Sequence, residues 1–155
     1  MYRVRTFATL LIAALLLALS PAAMAQAPNE EALMDMVPAW ADAYNAADLD
    51  ALAALYTEDA VVMPPGGERM RGHDALKALA ASYIEAGAVQ IELPPPDAYD
   101  VLGETAWVEG TYRFFGPDGS PVDVGKWLDI YRFEDGAWRI QHHMWSSDLP
   151  PMAGE

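Results

Sequence analysis

Beyond residue 29 the apolar positions fall at helical spacing: Leu33, Met36, Val37, Trp40 and Tyr44 form one stripe. Asn29 stands where a helix cap belongs, and Glu30 and Glu31 occupy the first turn, where the helix dipole favours anions. Pro38 lies inside the stripe and predicts either a kink or a later true start. Asp48 is a second cap, ahead of an inner face made of Leu49, Leu52, Leu55 and Tyr56. A third helix is expected after Gly72, with Leu76, Leu79, Ala80, Tyr83 and Ile84 turned inward.

The pattern then changes from helical to extended. A brief strand at 60–63 is stopped by Pro64-Pro65-Gly66-Gly67, and a second at 89–93 by Pro94-Pro95-Pro96. Two more are expected at 97–102 and 105–115, separated by Gly103-Glu104. Gly116-Pro117-Asp118-Gly119 is a strong turn signal. Residues 122–133 and 137–147 pair across Glu134-Asp135-Gly136 as a hairpin. Helices followed by a meander of antiparallel strands give an α+β class, with the helices packed on one face of the sheet.

The first residues stand apart. Arg3 and Arg5 precede an apolar run at 7–19, Ser20-Pro21 breaks it, and Ala23-Met24-Ala25 has the small-x-small pattern of a cleavage site. Residues 1–25 therefore read as a signal peptide removed before Gln26, and a periplasmic or secreted location follows. A membrane anchor is the alternative, but it needs about 20 apolar residues. The remaining 130 residues, 26–155, make one domain of ordinary size.

Removing the leader leaves seven basic residues against 23 acidic ones, a formal charge of −16. Such a surface repels phosphate backbones and anionic lipid, which argues against nucleic-acid and membrane-surface roles; solubility is its plain explanation. There is no cysteine, so thiol nucleophiles, thiolate metal sites and disulfides are excluded, and the core alone must hold the fold.

Three stretches carry a resemblance. The run from Trp40 through Tyr44-Asn45 and Asp48-Leu49 to Tyr56-Thr57-Glu58-Asp59-Ala60 resembles the opening of SnoaL-like and ketosteroid-isomerase-like domains of the nuclear-transport-factor-2-like superfamily. Arg71-Gly72-His73-Asp74-Ala75-Leu76 after a Pro-Gly loop is similar too, as is the closing run Asp135-Gly136-Ala137-Trp138-Arg139-Ile140-Gln141-His142-His143-Met144-Trp145. The resemblance implies a strongly curved antiparallel sheet wrapped around three N-terminal helices, a cone-shaped α+β barrel with a pocket at its wide end. It also implies a homodimer through the outer sheet face. It does not imply an activity, because this fold hosts isomerases, dehydratases, cyclases, hydrolases and binders.

Alternation gives each strand two candidate faces. Matching to ketosteroid isomerase puts Glu109, Arg113, Asp129, Gln141, His143 and Trp145 on the concave side, with Trp107 sharing the face of Glu109. Asp129 falls where the isomerase keeps a protonated acid in its oxyanion hole. The isomerase's base falls on Pro64, its oxyanion tyrosine on Trp40 and a supporting tyrosine on Ala80, which argues against steroid isomerisation by that mechanism.

Asp129 and His143 remain as an acid/base pair, with Glu109 as a further member and Arg113 as a clamp for an anionic or carbonyl group. An internal salt bridge from Arg113 to Glu109 or Asp129 is the structural alternative. Trp40, Tyr44, Tyr56, Trp107, Trp127 and Trp145 are candidate pocket walls, or plain core. His142 and His143 point to opposite faces unless a bulge intervenes, so together they make no metal site, and no cofactor motif occurs.

Three functions compete on this reading. The first is an exported domain binding a small, partly apolar molecule. The second is an isomerase, dehydratase or hydrolase using Asp129 and His143, and the third an assembly module with a vestigial pocket.

Overall fold

A computed structural model describes residues 28–149; the proposed signal peptide lies outside them. The first expected helix comes as two segments, α1 (Glu30–Met34) and α2 (Met36–Asn45). Asn29 caps α1 by accepting from the Ala32 N–H at 2.6 Å. The break falls at Asp35 because Pro38 has no N–H to give the Met34 carbonyl and its ring crowds that oxygen. Helix α3 (Leu49–Ala54) starts at Asp48, whose side chain accepts from Ala51 N–H, and α4 spans Gly72–Glu85. Among the described residues no helix is long and apolar enough to cross a membrane.

Seven strands form one sheet: β1 (Tyr56–Met63), β2 (Met70–Arg71), β3 (Gln90–Glu92), β4 (Ala98–Leu102), β5 (Thr105–Phe115), β6 (Pro121–Glu134) and β7 (Ala137–Ser147). The order is β2-β1-β7-β6-β5-β3, with β4 also on β5. Strands β3 and β4 occupy successive halves of the same β5 edge, because the prolines at 94–96 bring no N–H to the ladder between them. The β6–β7 turn is Asp135-Gly136, both at positive φ, the two-residue geometry that matches strand twist.

Three expectations need correcting. The sheet is mixed, not wholly antiparallel: β1 runs parallel to β7, since β1 follows α3 directly and enters the sheet from the helical side. Nor is it a closed barrel, because the end strands β2 and β3 do not pair. Tyr56, expected on the inner face of a helix, opens β1. The cone is thus an open, curved sheet with the helices filling its hollow. Leu33, Leu52, Val108, Trp138 and Ile140 are wholly buried there. Asn45 ties α2 to the short edge strand by bonding both the N–H and the carbonyl of Ile91, at 2.7 and 3.0 Å.

Candidate functional site

Strand alternation builds the site. On β6, Trp127, Asp129 and Tyr131 point inward, while Lys126 and Ile130 are exposed. On β5 the inward set is Ala106, Val108, Gly110, Tyr112 and Phe114. Trp107, Glu109 and Arg113 therefore stand on the outer face, and their expected place in the pocket is overturned. The physical reason is plain: Glu109, Thr111 and Arg113 gain water on the outside, and the apolar set gains the core. Among the described residues Arg113 forms no ion pair with Glu109 or Asp129.

Strand β7 does not alternate regularly. Ile130 pairs with His142 but Tyr131 pairs with Ile140, so Gln141 is an extra residue. This bulge lets Trp138 and Ile140 on one side of it and His143 and Trp145 on the other all face inward. His142 consequently lies opposite, its Nδ1 buried without a hydrogen-bond partner.

Asp129 and His143 are direct cross-strand neighbours. Asp129 is 4% exposed, and its carboxylate is fully engaged: His143 Nδ1–H donates to Oδ1 at 2.6 Å and the Tyr131 hydroxyl to Oδ2 at 3.2 Å. Two donors on a buried carboxylate offset its loss of water. The bond fixes the imidazole tautomer and leaves Nε2 with no partner among the described residues. Three rings hold the imidazole in place. Trp40 stacks on it at 5.8 Å between centroids, Trp145 lies tilted at 4.9 Å, and Tyr56 presents an edge at 6.0 Å. An imidazole oriented by a buried carboxylate with one nitrogen free can give or take a proton.

A second small network adjoins the first. Trp40 Nε1–H donates to the Tyr56 hydroxyl oxygen at 2.6 Å. Burial, and then the negative charge of Asp129, push the Tyr56 and Tyr131 hydroxyls well above the ordinary tyrosine range, so both stay protonated. Burial raises Tyr44 and Tyr112 as well; their hydroxyls donate to the Ala88 carbonyl at 2.7 Å and to Asp123 at 2.9 Å.

These groups line one cavity of about 60 Å³. Trp40, Tyr44, Tyr56, Trp127, Asp129, His143 and Trp145 are among the residues that line it. Sequence reading missed Tyr83, Tyr112, Phe114 and Tyr131. Alternation carried the signal for three of them: Tyr112 and Phe114 share the apolar face of β5, and Tyr131 shares that of Asp129. The stripe of α4 carried the signal for Tyr83.

The fold is shared with solved structures of low identity. A ketosteroid isomerase-like protein from Erwinia carotovora atroseptica is 24% identical, with a TM-score of 0.67 over 79% of this chain and 100% of that one. A nuclear-transport-factor-2-like protein with a cystatin-like fold from Novosphingobium aromaticivorans is 19% identical, with a TM-score of 0.69 over 79% and 84%. A domain of unknown function from Nostoc punctiforme, also cystatin-like, is 17% identical, with a TM-score of 0.68 over 79% and 78%. No curated protein matches the chain. The SnoaL-like domain matches residues 37–143, well over half the sequence, and the chain belongs to that family.

Proposed function

We propose that this SnoaL-like domain binds a small, largely apolar molecule inside the cone. The observation that carries the reading is a cavity walled by aromatic and aliphatic side chains, in which, among the described residues, Asp129 and His143 are the acid/base side chains besides the tyrosines. Such a lining favours a ligand with a hydrocarbon body and few polar atoms. The test is native mass spectrometry of protein purified from its own source, alongside titration of the cavity tryptophans with ethylbenzene. A retained small-molecule adduct and saturable quenching are expected, both lost in Ala80→Leu, which puts an isobutyl group into the cavity. Neither adduct nor quenching in the native protein refutes the reading.

A second reading makes the same pocket an isomerase, dehydratase or hydrolase, and the 2.6 Å Asp129–His143 bond favours it. On that reading Asp129→Asn and His143→Ala keep binding and abolish turnover in a screen of ketones, epoxides and enol lactones. Export rests on the leader at 1–25; protein recovered from the periplasm or medium should begin at Gln26. A homodimer through the outer sheet face is supported by the cross-strand neighbours Leu128 and Met144, and Trp107 and Ile130; Met144 and Ile130 are exposed.

A further inference from the structure

Several polar atoms facing the cavity are already satisfied by the protein, whereas His143 Nε2 is left, among the described residues, as a free acceptor. Both oxygens of Asp129 are occupied, by His143 and Tyr131. The hydroxyls of Tyr44 and Tyr112 are spent on Ala88 and Asp123. Tyr56 differs. Its oxygen accepts the Trp40 N–H, but no described residue accepts its own proton, although the side chain is 2% exposed. Trp145 also lines the cavity; its buried Nε1–H lies near the Tyr83 hydroxyl oxygen without completing a hydrogen bond to it. Two buried donors without acceptors are a cost that a bound oxygen would remove.

The sign of the missing group follows from the charges. Among the described residues no lysine or arginine lines the cavity, and the charge of the Asp129 carboxylate lies beside it. A carboxylate or phosphate entering here would lose its water without gaining a cation. A neutral acceptor has no such loss.

We infer that the ligand is a neutral carbonyl compound (a ketone, aldehyde, ester or amide) whose oxygen accepts from the Tyr56 hydroxyl, with Trp145 Nε1–H as the second donor. Trp40 strengthens the first bond, since an N–H donating into the tyrosine oxygen makes its O–H a better donor. Tyr56 is then a specificity-determining residue. The inference rests on the pocket reading above and names the chemical class that the pocket selects.

Three probes of one shape separate the alternatives: acetophenone, ethylbenzene and benzoate, titrated against the whole mature domain by calorimetry. Acetophenone should bind about tenfold more tightly than ethylbenzene, the effect of one to two buried neutral hydrogen bonds, and benzoate more weakly than either. Tyr56→Phe should bring the ratio of acetophenone to ethylbenzene affinity most of the way to one. Isotope-edited infrared spectra supply a readout on the unmutated protein: the bound carbonyl stretch should shift to lower frequency than in an apolar solvent. Ethylbenzene and acetophenone binding equally, an unshifted carbonyl band, or benzoate binding best would each overturn the inference and leave the pocket intact. Failure of all three probes to bind would overturn the pocket reading itself, and this inference with it.

Discussion

Replacing Asp129 and His143 singly and together measures how far the buried pair acts as a unit. In Asp129→Ala two donors lose their acceptor, the His143 Nδ1–H and the Tyr131 hydroxyl. At about 1–3 kcal/mol for each buried group left unmade, the loss is about 2–6 kcal/mol. That is a large part of the 5–15 kcal/mol typical of a domain. Asp129→Asn keeps an acceptor for His143 but turns an NH2 toward the Tyr131 hydroxyl, so its cost should sit near the lower end of that range. His143→Ala leaves a carboxylate that is 4% exposed with Tyr131 as its one remaining donor, and should cost about 3–5 kcal/mol.

The double variant removes both charge and partner, so it should be less destabilised than the sum of the singles by about 1.5–3 kcal/mol, the worth of a charge-assisted bond. Urea unfolding followed by tryptophan fluorescence and circular dichroism gives each value, with equal slopes required before the midpoints are compared. Additivity within about 0.5 kcal/mol would mean that the two groups do not share a bond in solution. The orientation of His143 by Asp129, and the acid/base role resting on it, would then be refuted.

Other consequences follow from the same packing. Tyr56 and Tyr131 keep their protons in the fold while unfolded tyrosines ionise near pH 10.0, so stability should be intact below that pH and fall above it. The slope is about 3 kcal/mol per pH unit for the pair, and unfolding should precede tyrosinate absorbance from these two residues. Gly125→Ala should cost at least about 3 kcal/mol in urea, because the added methyl would collide with the Ser146 carbonyl and come within 2.8 Å of the Tyr112 ring. A wild-type midpoint in that variant would show that the strands separate there at little cost. Ile130→Glu on the exposed outer face should turn a dimer into a monomer in sedimentation without shifting the unfolding midpoint by more than about 0.5 kcal/mol. A wild-type monomer would remove the dimer proposal.

The helical half was readable because each signal was local. The stripe Leu33, Met36, Val37 and Tyr44 is buried as spaced, and the Asn29 and Asp48 caps bond as their chemistry requires. The hairpin across Asp135-Gly136 was readable for the same reason. The parallel β1–β7 pairing was not, since it joins residues some 80 positions apart through no turn that leaves a mark between them. The two-residue β2 was missed as well, being too short to show a period.

The site shows where likeness and local physics diverged. On β5 the face bearing Glu109, Thr111 and Arg113 was turned inward by matching to a distant enzyme, against the preference of charged side chains for water. The structure follows the side chains. On β6 neither face was decisive by polarity, because Trp127, Asp129 and Tyr131 compete with Lys126, Leu128, Ile130 and Arg132. Here the likeness placed Asp129 correctly.

On β7 strict alternation would turn His143 outward once Ile140 is buried, and only the extra residue at Gln141 restores it. The bulge is therefore part of the site. It brings the imidazole level with Asp129 while keeping Trp138 and Ile140 in the core.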